Sequence, residues 1–182
     1  MTKAANLEPV FTPFTIVVDT REQQPYTFQN LACDAKGKYR PVIVETERKS
    51  LETGDYSVKG LEHFVTVERK SVADAYHTFV TDERERFERE LERMTKMPYP
   101  LVVLEGSWGT LLHPDTPKNV HSQGNRKAFF RSIIAWQARY RIPFETCEGR
   151  AFAERYTFRF LERVWTDSQD NRFSPMFSRG FS

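Results

Sequence analysis

The stretch from Phe64 to Lys70 reads as a β-strand, yet it ends in three consecutive charges, Glu68-Arg69-Lys70. Strand side chains alternate, so Glu68 and Lys70 share one face while Val67 and Arg69 point to the other. An acid and a lysine on one face of a strand call for neighbours that meet those charges. Two upstream segments supply them. Gly54-Asp55-Tyr56 opens a hairpin-like unit, Asp55 to Val58 then Lys59-Gly60 then Phe64 to Lys70, whose pairing brings Asp55 opposite Glu68. The apolar, β-branched run from Phe14 to Thr20 carries Asp19 at its end, followed by Arg21 and Glu22, and can reach the same edge. The fold must therefore contain a sheet whose strands converge on these acids.

The other segments fit around such a sheet. Val42 to Thr46 reads as a short strand, and Gln23 to Arg40, with Pro25 and Gly37, as a loop. Ser71 is placed to cap a helix to about Phe79. A second helix starts at Thr81 or Asp82, with Glu85 set for a capping box, and runs to about Met97 before Pro98 and Pro100. Leu101-Val102-Val103-Leu104 is a continuous apolar strand of the kind covered on both faces. Ser107 to Gly124 reads as a long loop. Asn125 to Arg141 reads as an amphipathic helix through Phe129, Ile133, Trp136 and Tyr140. Ile142 to Cys147 is a last strand, and Ala151 to Trp165 a closing helix with Phe152, Tyr156, Leu161 and Val164 inward. The expected organisation is a flexible arm over 1–13, one α/β domain with a mixed central sheet flanked by helices over 14–166, and a flexible tail over 167–182.

Composition excludes several classes. At 182 residues the chain can bury a core without staples. Its 27 basic and 25 acidic residues leave a net charge of only +2, so any nucleic-acid surface must be a concentrated basic face. Cys33 and Cys147 are far apart and have no zinc-type spacing, which points to a reducing compartment. No apolar run approaches the roughly 20 residues of a membrane span, so a soluble, intracellular protein is expected. The four histidines, 63, 77, 113 and 121, do not cluster.

Carboxylates that converge repel one another unless a cation neutralises them. Magnesium, with manganese as a substitute, suits a site of one or two carboxylates plus phosphate and water. It would polarise a phosphate and acidify a water, with Lys70 orienting or deprotonating that water and offsetting charge at phosphorus. This is the composition of a phosphodiester-cleaving site. Plainer readings stay open: Asp55 as a turn former, Glu68 and Lys70 as an exposed charge pair, Asp19 as a strand-end cap, Asp74 as a helix cap with Ser71. Arg21 and Arg69 read as structural ion-pair formers.

Asp19-Thr20-Arg21-Glu22, Gly54-Asp55-Tyr56 and Glu68-Arg69-Lys70-x-x-x-Asp74 resemble the nuclease core of the XPF-type structure-specific endonucleases, with their GD…ERKxxxD signature. The resemblance covers about residues 14–166 and implies a restriction-endonuclease-like fold. It implies metal ligation by Asp19, Asp55 and Glu68, catalysis by Lys70, supporting acids at Glu22 and Asp74, and Arg69 as part of the motif. It further implies cleavage of branched, flap or fork DNA that leaves a 3′-hydroxyl and a 5′-phosphate. Such proteins typically add a tandem helix-hairpin-helix module and pair with a related subunit; targeting by that module is not expected here. Rival readings are a junction resolvase or nicking enzyme on the same fold, and a catalytically silent DNA-binding subunit.

Two basic groups are DNA-contact candidates. In the helix from Asp82, Phe87, Leu91 and Met94 form a buried stripe, with Arg86, Arg89 and Arg93 on one flank and Glu85, Glu88 and Glu92 on the other. Pairs such as Glu85–Arg89 would explain a solvated helix, but not the segregation of flanks by sign. Arg126, Lys127 and Arg131 form the second group, and Trp108, His121 and Asn125 on the long loop are further contacts to consider. The aromatic load of the C-terminal helices suggests a homodimer or heterodimer. Phe173, Phe177 and Phe181, spaced by four among Ser, Pro and Gly, read as disordered or as a motif for a protein partner.

Overall fold

A computed structural model describes residues 8–35, 38–80, 83–113, 123–170 and 172. Seven strands form one mixed sheet in the order β2-β3-β1-β4-β5-β6-β7. They are β1 (Val10–Asp19), β2 (Leu31–Ala35), β3 (Lys38–Lys49), β4 (Tyr56–Val58), β5 (Val65–Lys70), β6 (Tyr99–Leu104) and β7 (Phe144–Thr146). β4 runs antiparallel between β1 and β5, as the hairpin reading required, while β5, β6 and β7 are parallel. The helices are α1 (Val72–Val80), α2 (Arg84–Met94), α3 (Trp108–Leu112), α4 (Gln123–Tyr140) and α5 (Arg150–Gln169).

Strand alternation divides the core into two layers. Phe14, Ile16, Val18, Val65, Val67, Leu101 and Val103 pack on one face with Phe158, Leu161 and Val164 of α5. Val102 and Leu104 point the other way, to Tyr76 and Phe79 of α1, Phe87 and Leu91 of α2 and Phe129, Ile133 and Trp136 of α4. Each such side chain taken fully out of water contributes about 1.5–3 kcal/mol. The same parity sends Glu68 and Lys70 of β5 toward α1 and α2, and Arg69 toward the α5 layer. The continuous apolar run of β6 is thus explained by cover on both faces.

Several boundaries differ from those expected. β1 begins at Val10, inside the segment read as an arm. β2 lies within the expected loop, and β3 extends well beyond Val42–Thr46 to Lys49. Much of β3 is exposed, and its Glu, Arg and Lys residues satisfy an edge region without an apolar period. α2 ends at Met94, short of Met97. α3 forms inside the long loop, capped by Ser107, whose hydroxyl accepts from the Thr110 N–H. α5 continues to Gln169, and Phe152, expected inward, is 46% exposed. No helix among the described residues is long and apolar enough to cross a membrane. His121, the Asn125 side chain, residues 1–7 of the arm and the three tail phenylalanines lie outside the described residues.

Candidate active site

The site is built on a turn that admits only glycine. Gly54 has φ +75°, and a Cβ there would stand 2.1 Å from Thr66 Oγ1. The turn sets Asp55 between two strands: its N–H donates to Val67 O at 2.8 Å, and its carbonyl accepts from the Asp19 N–H at 2.8 Å. Asp55 Oδ2 accepts from the Arg69 backbone N–H at 2.7 Å. The acid is thereby fixed beside Glu68, one residue before Arg69 on β5. From the opposite side Glu90 of α2 clamps the turn, its Oε1 accepting from Thr53 Oγ1 at 2.6 Å and the Gly54 N–H at 3.0 Å.

Asp19, Asp55, Glu68 and Lys70 line one cleft of about 260 Å³, with Arg86 and Glu90 in its wall. A neighbouring hollow shares Asp55, Glu68 and Lys70 and adds Glu22, Arg69 and Asp74. All seven residues singled out from the strand motifs therefore meet at one sheet edge. Arg86 reaches the cleft; Arg89 and Arg93 are not among its lining residues. Arg126 and Lys127 line a separate cavity between α3 and α4.

Lys70 Nζ lies 2.8 Å from Glu68 Oε1 and 5.0 Å from the centre of the Phe87 ring. Burial lowers the tendency of Lys70 to hold its proton, but the Glu68 carboxylate outweighs that and raises its pKa. Lys70 is therefore an ammonium at neutral pH. Burial raises the pKa of Glu68 despite Lys70. Asp55 is pushed well above the usual carboxylate range by burial first and the Glu68 charge second. Two acids that resist joint ionisation are a donor pair suited to a hard cation.

Asp19 differs. Burial raises its pKa, but the Arg21 fork at 2.7 and 3.1 Å and the Leu51 and Arg21 N–H groups, at 2.6 and 2.7 Å, hold it below the usual range. Both its oxygens are engaged. Among the described residues no three His, Cys, Asp or Glu side chains are already arranged around a metal position.

Glu22 and Arg69 form a buried two-point pair, Arg69 Nε and Nη2 donating to its oxygens at 3.0 and 3.2 Å. Arg69 Nη1 also lies 3.2 Å from Glu105 Oε2, as an ion pair without hydrogen-bond alignment. Arg150 Nη1 donates to Glu105 Oε1 at 3.0 Å, and Nη2 to the carbonyls of Gln24 and Pro25 at 2.7 and 2.9 Å. The chain Glu22–Arg69–Glu105–Arg150 joins the loop after β1 to β5, β6 and α5. Asp74 and Ser71 cap α1 reciprocally, the hydroxyl donating at 2.6 Å and the Asp74 N–H returning at 3.1 Å. Glu90, Glu105 and Arg150 were missed from sequence. Glu90 had one signal, its place beside Leu91 on the apolar side of α2; the other two had none.

A mixed sheet whose central strands deliver acid, acid and lysine to one edge, between flanking helix layers, defines a restriction-endonuclease-like domain. The chain belongs to the ERCC4 domain family, whose family model matches residues 18–160, and is an XPF-type nuclease domain. Its fold is similar to XPF from Aeropyrum pernix, with a TM-score of 0.58 and 17% identity over 87% of this chain and 68% of that one. It is similar also to XPF from Aeropyrum pernix in complex with DNA, with a TM-score of 0.56 and 19% identity over 85% and 66%. The chain thus spans about two thirds of those structures. No curated protein matches the sequence.

Proposed function

We propose that this chain is a magnesium- or manganese-dependent DNA endonuclease acting on branched, flap or fork DNA and leaving a 3′-hydroxyl and a 5′-phosphate. The observation that carries this reading is the Asp55–Glu68–Lys70 cluster in an open cleft. A catalytically silent subunit has no physical need to hold two repelling acids together. Asp55 and Glu68 would hold the cation, and Asp19 would join them once Arg21, 62% exposed, gives up its bonds to Asp19 and the Leu51 carbonyl and turns outward. When bound, the cation would supply Lewis-acid polarisation of the phosphate and a more acidic water.

The residues of the chain do the rest. Lys70, already protonated, acts as a cation against charge developing at phosphorus and orients the attacking water through its N–H groups. It is poorly suited to remove a proton itself. The Glu22–Arg69 pair and the Glu90 clamp hold the strand and the turn so that Asp55 and Glu68 need no rearrangement. Arg86, in the cleft wall, would meet a phosphate. Likeness to a DNA-bound XPF structure supports DNA as the substrate. We assign dimerisation to α4 and α5, which flank the three-residue edge strand β7 in sequence and expose Ile134 and Phe152 at 48% and 46%. The free thiols of Cys33 and Cys147, the second buried and pushed up to about 11, fit a reducing compartment.

End-labelled flap, fork, four-way-junction, single-stranded and duplex DNA incubated with magnesium or manganese test the reading. Cutting of branched forms, reduced at least about 100-fold by Glu68→Ala and by Lys70→Ala, is expected. Binding without cutting by the unaltered chain under either metal would support the silent subunit instead.

A further inference from the structure

α2 and α4 handle charge in opposite ways. Arg84, Arg86, Arg89 and Arg93 of α2 each pair with an acid of the same helix or the residue before it. α4 carries Arg126, Lys127, Arg131 and Arg139 and no acid over its eighteen residues. None of these four is in an ion pair among the described residues. Among the described residues Arg126 reaches His113, at 3.1 Å between Nη1 and Nδ1, and its Nε is buried with no acceptor there.

Beside these cations is a cavity of about 370 Å³ lined by Leu112, His113, Arg126, Lys127 and Phe130. Phe130 is 41% exposed. Trp108 meets it in a T-shaped contact, at 5.5 Å between ring centres and 73° between planes. A surface that only tracks duplex phosphates needs no apolar hollow with an exposed aromatic ring. One that takes an unstacked base does, because stacking supplies sequence-tolerant affinity while cations hold the adjacent phosphates.

The topology puts this cavity at the same sheet edge as the acids. β5 and β6 are parallel, Lys70 is in register with Leu104, and the Glu105 N–H donates to Lys70 O at 2.9 Å. α3 starts three residues later, at Trp108. α4 must descend to the start of β7, which is parallel to β6, so its first turns stand at that edge too.

We propose that the cavity between α3 and the first two turns of α4 is a subsite for a single-stranded DNA arm, one base stacking on Phe130 and its flanking phosphates on Lys127 and Arg126. The proposal rests on the endonuclease reading and says where the unpaired part of the substrate goes. α4 then reads the arm while the acid cleft addresses the bond to be cut.

Fluorescence anisotropy in chelator, which prevents cutting, tests it with a blunt duplex, the same duplex bearing an oligothymidine arm, and the free arm. Phe130→Ala should weaken binding of the armed duplex and the free arm about tenfold and leave the blunt duplex unchanged. An abasic position in the arm should reproduce the loss without adding to it. Lys127→Gln should flatten the salt dependence of arm binding. Equal losses on the blunt duplex would overturn the subsite in favour of a general phosphate surface. Unchanged arm binding with a shifted sedimentation coefficient for Phe130→Ala would mean that a second copy covers the cavity. Wild-type cutting with arm binding indifferent to Phe130 would remove the subsite alone; no binding of any DNA would remove the endonuclease reading with it.

Discussion

Asp55 is a buried carboxyl that shares the cleft with Glu68. Its folded pKa is raised above the ordinary 3.8 by burial and then by Glu68, so the folded chain binds that proton more tightly than the unfolded chain does. Above the folded pKa the buried charge costs stability; the cost is relieved as pH falls through that value and is gone below the unfolded one. In chelator, Asp55→Asn should therefore raise the melting temperature at pH 7, by about 2–4 °C for each kcal/mol relieved, and give no gain below about pH 4. Thermal melts from pH 4 to 8 check this, and a variant less stable at pH 7 would contradict it. Added magnesium should stabilise the parent more than the variant. At this scale the sequence was legible where charges break an apolar strand pattern, as at Asp19, Asp55, Glu68 and Lys70. It was opaque where a residue acts across the fold. Glu90 lies in a helix crowded with glutamates, and its place on the apolar side of that helix does not say that it clamps a turn thirty-odd residues upstream.

Among the elements, helix α2 has the stripe of Phe87, Leu91 and Met94 that its periodicity dictates. Its arginine flank is real, but its charges are largely met by neighbouring acids. Arg93 is 2.5 Å from Glu90, whereas Arg86 is 80% exposed and on the cleft wall. A free phosphate contact is worth about 0.9 in the slope of log K against log salt. Replacing Arg86, Arg89 and Arg93 together by Gln should thus lower the slope for branched DNA by about one and not by nearly three. Titrations between 50 and 200 mM salt would read this; an unchanged slope would remove α2 from the DNA contact. Strands β2 and β3 were hard to read for a related reason. They sit at the sheet margin, where Val42 and Val44 are only half-buried and alternate with exposed residues, so apolar periodicity fades just where backbone pairing still holds. β6, covered on both sides, could hardly be misread.

For the whole molecule, the proposed dimer would rest on α4 and α5. If α4 and α5 meet their counterparts across the β7 edge, charges at the exposed apolar positions should separate the copies. Ile134→Glu with Phe152→Glu should turn a dimer into a monomer in sedimentation velocity and leave the circular dichroism spectrum unchanged. A parent monomeric at every concentration would refute this arrangement. The ion chain of Glu22, Arg69, Glu105 and Arg150, buried except at Arg150, has another consequence, one that concerns time. Its members come from four stretches separated along nearly the whole domain, and contacts of such long sequence separation form slowly. Its outer link, from Arg150 to Glu105 and to the carbonyls of Gln24 and Pro25, forms only when α5, the last described helix, has docked. A chain still being synthesised, or one nicked before α5, would hold every motif of the site and lack the Arg150 anchor of its ion chain. The acids of the cleft would thus be gathered before the brace behind them is closed.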